Sequence, residues 1–198
     1  VDLASYAQVI HVAAAIGDDA ADGSRERPVA TIGRALQLQA ERRQQRGRTA
    51  VLVAEGRYRE TVHLAPGVDL FGGFSASTWE RDIAANASVV DGQGERRGVI
   101  GADDALLDGF VVTVRLAAGH GGGILCDQTA PVIRNNTLIE NRTAVPKDYV
   151  FGILHQVGAD GGAIACVNGS HAVIENNFIA RNSTDIGSGG GIGVRNYS

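Results

Sequence analysis

Hydrophobic positions along this chain fall in short runs that stop at glycine. They occupy 50–55, 61–64, 68–71, 88–90 and 106–114, and two of them carry an Asp-Gly turn, Asp91-Gly92 and Asp108-Gly109. Runs of this length with turn residues between them read as short strands. No long helical stretches separate them, which argues for a β-solenoid and against alternating βαβ units. Parallel connections coil right-handed by default.

Further along, the pattern becomes a repeat. Gly121-Gly122-Gly123-Ile124-Leu125-Cys126 aligns with Gly161-Gly162-Ala163-Ile164-Ala165-Cys166 and with Gly189-Gly190-Gly191-Ile192-Gly193-Val194. Val132-Ile133-Arg134-Asn135-Asn136 follows the first and Val173-Ile174-Glu175-Asn176-Asn177 the second, each trailed by an [LI]xxN tetrad. Side chains alternate along a strand, so Ile124, Ile164 and Ile192 share one inward column, with Cys126, Cys166 and Val194 two places on. Leu125, Ala165 and Gly193 form the outward column. Stacking such units buries what one unit cannot, which is the logic of a solenoid. The cysteines then become neighbours, expected as buried thiols because stacked side chains suit a disulfide poorly. Asn tolerates the left-handed backbone of a turn, and one member of each pair is placed to bond its counterpart on the next rung.

Residues 29–46 are the one strong helical pattern, with Ile32, Ala35, Leu36 and Ala40 on one face and Arg42, Arg43 and Arg46 before Gly47. A solenoid must seal its first rung, and an amphipathic helix laid across the end does so. The fold expected is therefore all-β: a right-handed parallel β-helix with three-stranded rungs and an N-terminal amphipathic α-helical cap. Residues 1–49 form the N-terminal strand and cap, and 50–198 the rungs. The third repeat stops at Ser198 before its asparagine turn. The expected partner is thus further β-helix, from the same or another chain, at the C-terminal end. A chain that opens on Val1 and contains no Met is also expected to be a processed or excised piece.

Composition adds limits. A formal charge of −4 gives no general pull toward nucleic acid. No apolar run is long enough to span a bilayer.

Several segments carry a family resemblance. Asp22-Gly23-Ser24 through Pro28-Val29-Ala30-Thr31-Ile32, with Ala35-Leu36, resembles the opening of secreted pectin-lyase-like right-handed parallel β-helix proteins. Gly72-Gly73-Phe74, Trp79, Arg81-Asp82 and Val90-Asp91-Gly92 continue it. The Gly-Gly-x-Ile and [LI]xxN tetrads resemble the GG[AI]I / [LI]xxN repeats of polymorphic outer-membrane proteins. The resemblance implies an extracellular or cell-surface location. It leaves function open, because that superfamily holds lyases, hydrolases, epimerases, adhesins and structural shafts.

Candidate chemistry is sparse. The repeats are 40 residues apart from Gly121 to Gly161 and 28 from Gly161 to Gly189, so a dozen extra residues loop out with Lys147, Tyr149 and His155. By resemblance, β-helix polysaccharide lyases remove the proton α to a uronate with a Lys or Arg, a role Lys147 fills only if its pKa is depressed. Asp91 and Asp108 have the chemistry of paired glycosidase carboxylates, yet each precedes Gly in a turn that favours Asp on backbone grounds. Asp18, Asp19 and Asp22 suggest calcium, but Val29 stands where a bidentate Glu belongs, so no cofactor is expected. The five histidines lack metal-ligand spacing. Trp79 has a face for stacking on a sugar and equally an apolar body for packing.

The function expected from these features is a non-catalytic extracellular module, an adhesin, shaft or assembly subunit, with polysaccharide as a candidate ligand. The alternative is a polysaccharide-active enzyme, a uronate polysaccharide lyase.

Overall fold

The computed structural model describes residues 1–42, 47–144, 159–185 and 187–196. The chain opens with β1 (Gln8–Val12), crosses to α1 (Ile32–Glu41), and then winds through successive turns. The first is β2 (Thr49–Ala54), β3 (Gly56–Tyr58) and β4 (Val62–His63), the next β5 (Val68–Phe74), β6 (Ser88–Asp91) and β7 (Val99–Ile100). The third adds a short fourth strand: β8 (Leu106–Asp108), β9 (Phe110–Thr113), β10 (Ala117–Ala118) and β11 (Ile124–Asp127). The same order recurs in β12 (Val132–Arg134), β13 (Thr137–Ile139), β14 (Arg142–Ala144) and β15 (Ile164–Val167), then in β16 (Val173–Glu175), β17 (Phe178–Ala180), β18 (Ser183–Thr184) and β19 (Ile192–Arg195).

Each strand pairs in parallel with its equivalent one turn away, which makes the molecule a parallel β-helix. Sheet A runs β1-β2-β5-β8-β12-β16, sheet B β3-β6-β9-β13-β17, sheet C β4-β7-β11-β15-β19, and a short sheet D β10-β14-β18. In sheet C, Ile124 pairs with Ile164 and Ile164 with Ile192, while Cys126, Cys166 and Val194 align beside them. The run 106–114 splits into β8 and β9 at Gly109, whose φ of 83° turns the chain from sheet A to sheet B. That conformation favours glycine, and a Cβ there would also stand 2.5 Å from an Arg81 nitrogen.

Inward side chains form one continuous core. It includes Ile10, Val51, Leu70, Leu107, Phe110, Ile124, Ile133, Leu138 and Ile164, joined by Ile32, Ala35 and Leu38 of α1. The helix starts where the Thr31 hydroxyl accepts from the Arg34 N–H, and Glu60 accepts from the Ile32 and Gly33 N–H groups at 2.9 and 2.7 Å. Those bonds satisfy donors that the first helical turn leaves unpaired. The buried stripe is Ile32, Ala35 and Leu38, whereas Ala40 of the expected face is exposed. Spacing of three from Ile32 through Ala35 to Leu38 keeps a straight stripe toward the core, and Ala40 lies off it.

The asparagine pairs divide their work. Asn135 and Asn176 take the left-handed conformation, with φ of 56° and 50°. Asn136 turns inward: its Oδ1 accepts from the Phe110 N–H, and its N–H and Nδ2 both donate to Asn177 Oδ1. One corner on, Asn141 likewise donates its N–H and Nδ2 to Asn182 Oδ1, both at 2.9 Å, while its own Oδ1 has no hydrogen-bond partner. These side chains pair the backbone groups that a tight turn frees inside the core.

The outward column Leu125, Ala165, Gly193 is partly covered by the chain itself. Ala165 is fully buried, and a Cβ on Gly193 would lie 2.7 Å from the Gly161 nitrogen and 3.0 Å from the Asp160 Cβ. The residues are small because the chain itself folds over them.

Candidate functional site

Two parts of the surface concentrate chemistry: the outer face of sheet A and the last turn of the coil. On sheet A, Asp69 and Phe71 of β5 point outward beside Leu106 and Asp108 of β8 and Val132 and Arg134 of β12. The segment before β1 crosses this face, so that Tyr6 stacks edge-on against Phe71 at 6.1 Å and donates its hydroxyl to Asp69 at 2.6 Å. Arg48 bonds both Asp69 and Asp104. Asp108 takes Arg81 at 2.6 Å, Arg134 at 2.8 Å and the Asn135 amide at 3.1 Å.

Two shallow grooves of about 420 and 430 Å³ flank Tyr6 and Arg134. Their electrostatics are balanced. Burial pushes the Asp108 carboxyl up, but hydrogen bonds from Arg81, Arg134 and Asn135 together hold it below the usual carboxylate range. Burial and the Asp69 carboxylate push the Tyr6 hydroxyl well above the usual tyrosine range. Such a face can hydrogen-bond a neutral polar ligand through the outer edges of its ion pairs.

The last turn differs in kind. Ile174, Ile179, Ile192 and Val194 continue the inward columns, yet Ile192 is 41% and Val194 77% exposed. Their register partners Ile164 and Cys166 are 0% and 6% exposed. Among the described residues, β16, β17, β18 and β19 each pair on one side only. Asn177 and Asn182 repeat the inward asparagines, and in the turn before them that residue sends its N–H and Nδ2 onward to the next Oδ1.

Lys147, Tyr149 and His155 lie outside the described residues. They fall between β14 and Ala159. Beside Ala159, the Asp160 N–H donates to His120 Nδ1 at 3.1 Å, and Arg195 meets the Asp160 carboxylate at 3.1 Å. Burial holds the His120 imidazole below its ordinary pKa. Trp79 packs edge-on against His11 at 4.5 Å and near Phe74.

Asp91 and Asp108 are not brought together: Asp91 ends β6 in sheet B, bonded to Arg57, while Asp108 faces out from sheet A. Asp18 and Asp22 accept from the N–H groups of Ala20 and Ser24, as turn residues do, while Asp19 accepts from the N–H groups of Ala30 and Thr31 and ties that turn to the start of α1. Among the described residues no group of three or more His, Cys, Asp or Glu is placed to hold a metal ion, and no helix is long and apolar enough to cross a membrane. Sequence reasoning missed the Tyr6–Arg48–Asp69 cluster, whose members are up to 63 positions apart. The outward place of Asp69 in a hydrophobic run was its only local signal.

A family model described as protein of unknown function (DUF1565) matches residues 15–197. No curated protein and no solved structure matches the chain.

Proposed function

The chain belongs to the family described as protein of unknown function (DUF1565), and from that premise we propose that it is a non-catalytic extracellular or cell-surface module that assembles by stacking its last turn on further β-helix. In this account the coil is right-handed, its rungs have three main strands, and residues 1–49 close one end while 50–198 form the rungs. Parallel crossovers take that hand by default, three long sheets supply the rungs, and α1 lays Ile32, Ala35 and Leu38 on the core beside β1.

The observation that carries the proposal is the exposure of Ile192 and Val194, whose register partners in the two preceding turns, Ile164 and Ile124, Cys166 and Cys126, are buried. Open strand edges beside exposed column heads are a template for another strand. On sheet A, by contrast, Arg48, Arg81 and Arg134 are each committed to aspartates, the charge balance of a structural or ligand-holding face. Polysaccharide is the candidate ligand there, since ion-pair edges and Asn135 offer donors and acceptors to hydroxyl groups.

Sedimentation velocity of the chain over a range of concentrations tests the stacking. Association is expected, with Val194→Asp shifting it to monomer. A folded chain that stays monomeric throughout, or associates equally well with Val194→Asp, would overturn the proposal.

A further inference from the structure

The fold brings Cys126 and Cys166 together and gives them no evident task. They are register partners on β11 and β15, point into the core, and are unbridged. Cys126 is fully buried and Cys166 is 6% exposed. Adjacent strands stand about 4.8 Å apart, so equivalent atoms of inward side chains repeat at roughly that interval. A disulfide draws two sulfurs to about 2.05 Å, well inside the repeat. One ion with two metal–sulfur bonds of about 2.3 Å spans roughly 4.6 Å, close to the repeat itself. We infer that Cys126 and Cys166 form a two-coordinate site for a soft monovalent cation of the cuprous type, held between adjacent turns.

The surroundings select that class of ion. Calcium and magnesium require six or more oxygen ligands, and structural zinc requires four ligands. Thiolate pairs favour soft cations, and the apolar neighbours Ile124 and Ile164 give hard ions nothing to bind. The Thr129 hydroxyl oxygen is buried with no hydrogen-bond partner. A single point, the Cβ position of Gly101, lies 3.0 Å from that oxygen and 3.3 Å from Cys126 Sγ. The Thr129 hydroxyl and the Cys126 sulfur therefore both lie beside Gly101, with no hydrogen bond between them. On binding, both thiols release a proton, two sulfur–metal bonds form, and no electron is transferred. The complex carries one net negative charge.

The test is titration of the reduced chain with silver(I), a redox-inert stand-in, and anaerobically with copper(I) against a competing chelator. Saturation at one ion per chain is expected, with two sulfur neighbours by X-ray absorption and a raised Tm. Cys126→Val and Cys166→Val should each abolish binding while staying folded, since Val194 already occupies this column. Binding that survives either cysteine substitution, or no uptake by chain whose two thiols are both titratable after unfolding, would overturn the site. So would isolation of the chain with a native Cys126–Cys166 disulfide.

Discussion

The two ends of the coil carry the same kinds of side chain and bury them very differently. At the beginning, Ile10, Val12, Val29 and Ile32 are fully buried between β1, β2 and α1. In the last turn, Ile192 and Val194 stand in the columns of Ile164 and Cys166 and are largely exposed. Neither residue type nor strand position explains the contrast. A side chain in a solenoid is buried by the turn on each side of it, so its burial is a property of its neighbours. At one end α1 lays Ile32, Ala35 and Leu38 on the core; at the other, the proposed neighbour is further β-helix.

The sharpest way to break this comparison is to put one charge at two levels of one column. Ile164→Asp buries an unpaired carboxylate, which costs several kcal/mol, and is expected to leave no cooperative unfolding transition. Ile192→Asp is expected to fold with a Tm near that of the parent, as followed by circular dichroism. Equal damage from both would mean that the last turn is as enclosed as the one before it.

A smaller effect sharpens the account of the first end. Leu38→Ala removes a buried side chain where α1 meets the core and is expected to cost about 2–4 kcal/mol by urea unfolding. A cost under about 0.5 kcal/mol would mean that the helix face contributes little to closing that end.

The outer face of sheet A responds to pH. Asp108 is held below the ordinary carboxylate range, so its ion pairs contribute stability above roughly pH 4, lost as pH falls through its lower folded value. Asp108→Asn is expected to cost about 2–3 kcal/mol at neutral pH and to flatten the acid limb of stability against pH. An unchanged acid limb would place the acid sensitivity elsewhere.

The smallest contrast lies in the asparagine ladder. Asn136→Ala strands the Phe110 N–H in the core and is expected to cost about 1–3 kcal/mol. Asn177→Ala, one turn nearer the open end and half-buried, should cost less in the isolated chain.

What was legible in the sequence was what repeats. The columns of Ile124, Ile164 and Ile192 and of Cys126 and Cys166 could be aligned because identical neighbours recur around them, and the asparagine pairs announced both turn and ladder. Sheet D was not legible, because Arg142, Thr143, Ser183 and Thr184 carry no apolar alternation. The break inside 106–114 was hidden in an Asp-Gly that read as a strand end. The Tyr6, Arg48 and Asp69 cluster was invisible for a simpler reason: three chain segments meet only once the coil is wound. Of the expected site residues, Lys147, Tyr149 and His155 lie outside the described residues, and Trp79 is placed in packing with His11 and Phe74.

Amide hydrogen exchange of the last turn, measured against chain concentration, tests the stacking surface most directly. Edge amides of β16, β17 and β19 are expected to exchange rapidly in dilute chain and to gain protection as concentration rises, while β2 and β5 stay protected throughout. Protection in β16, β17 and β19 that is already as high in dilute monomer as in β2 and β5 would contradict the account, because the last turn would then be complete by itself.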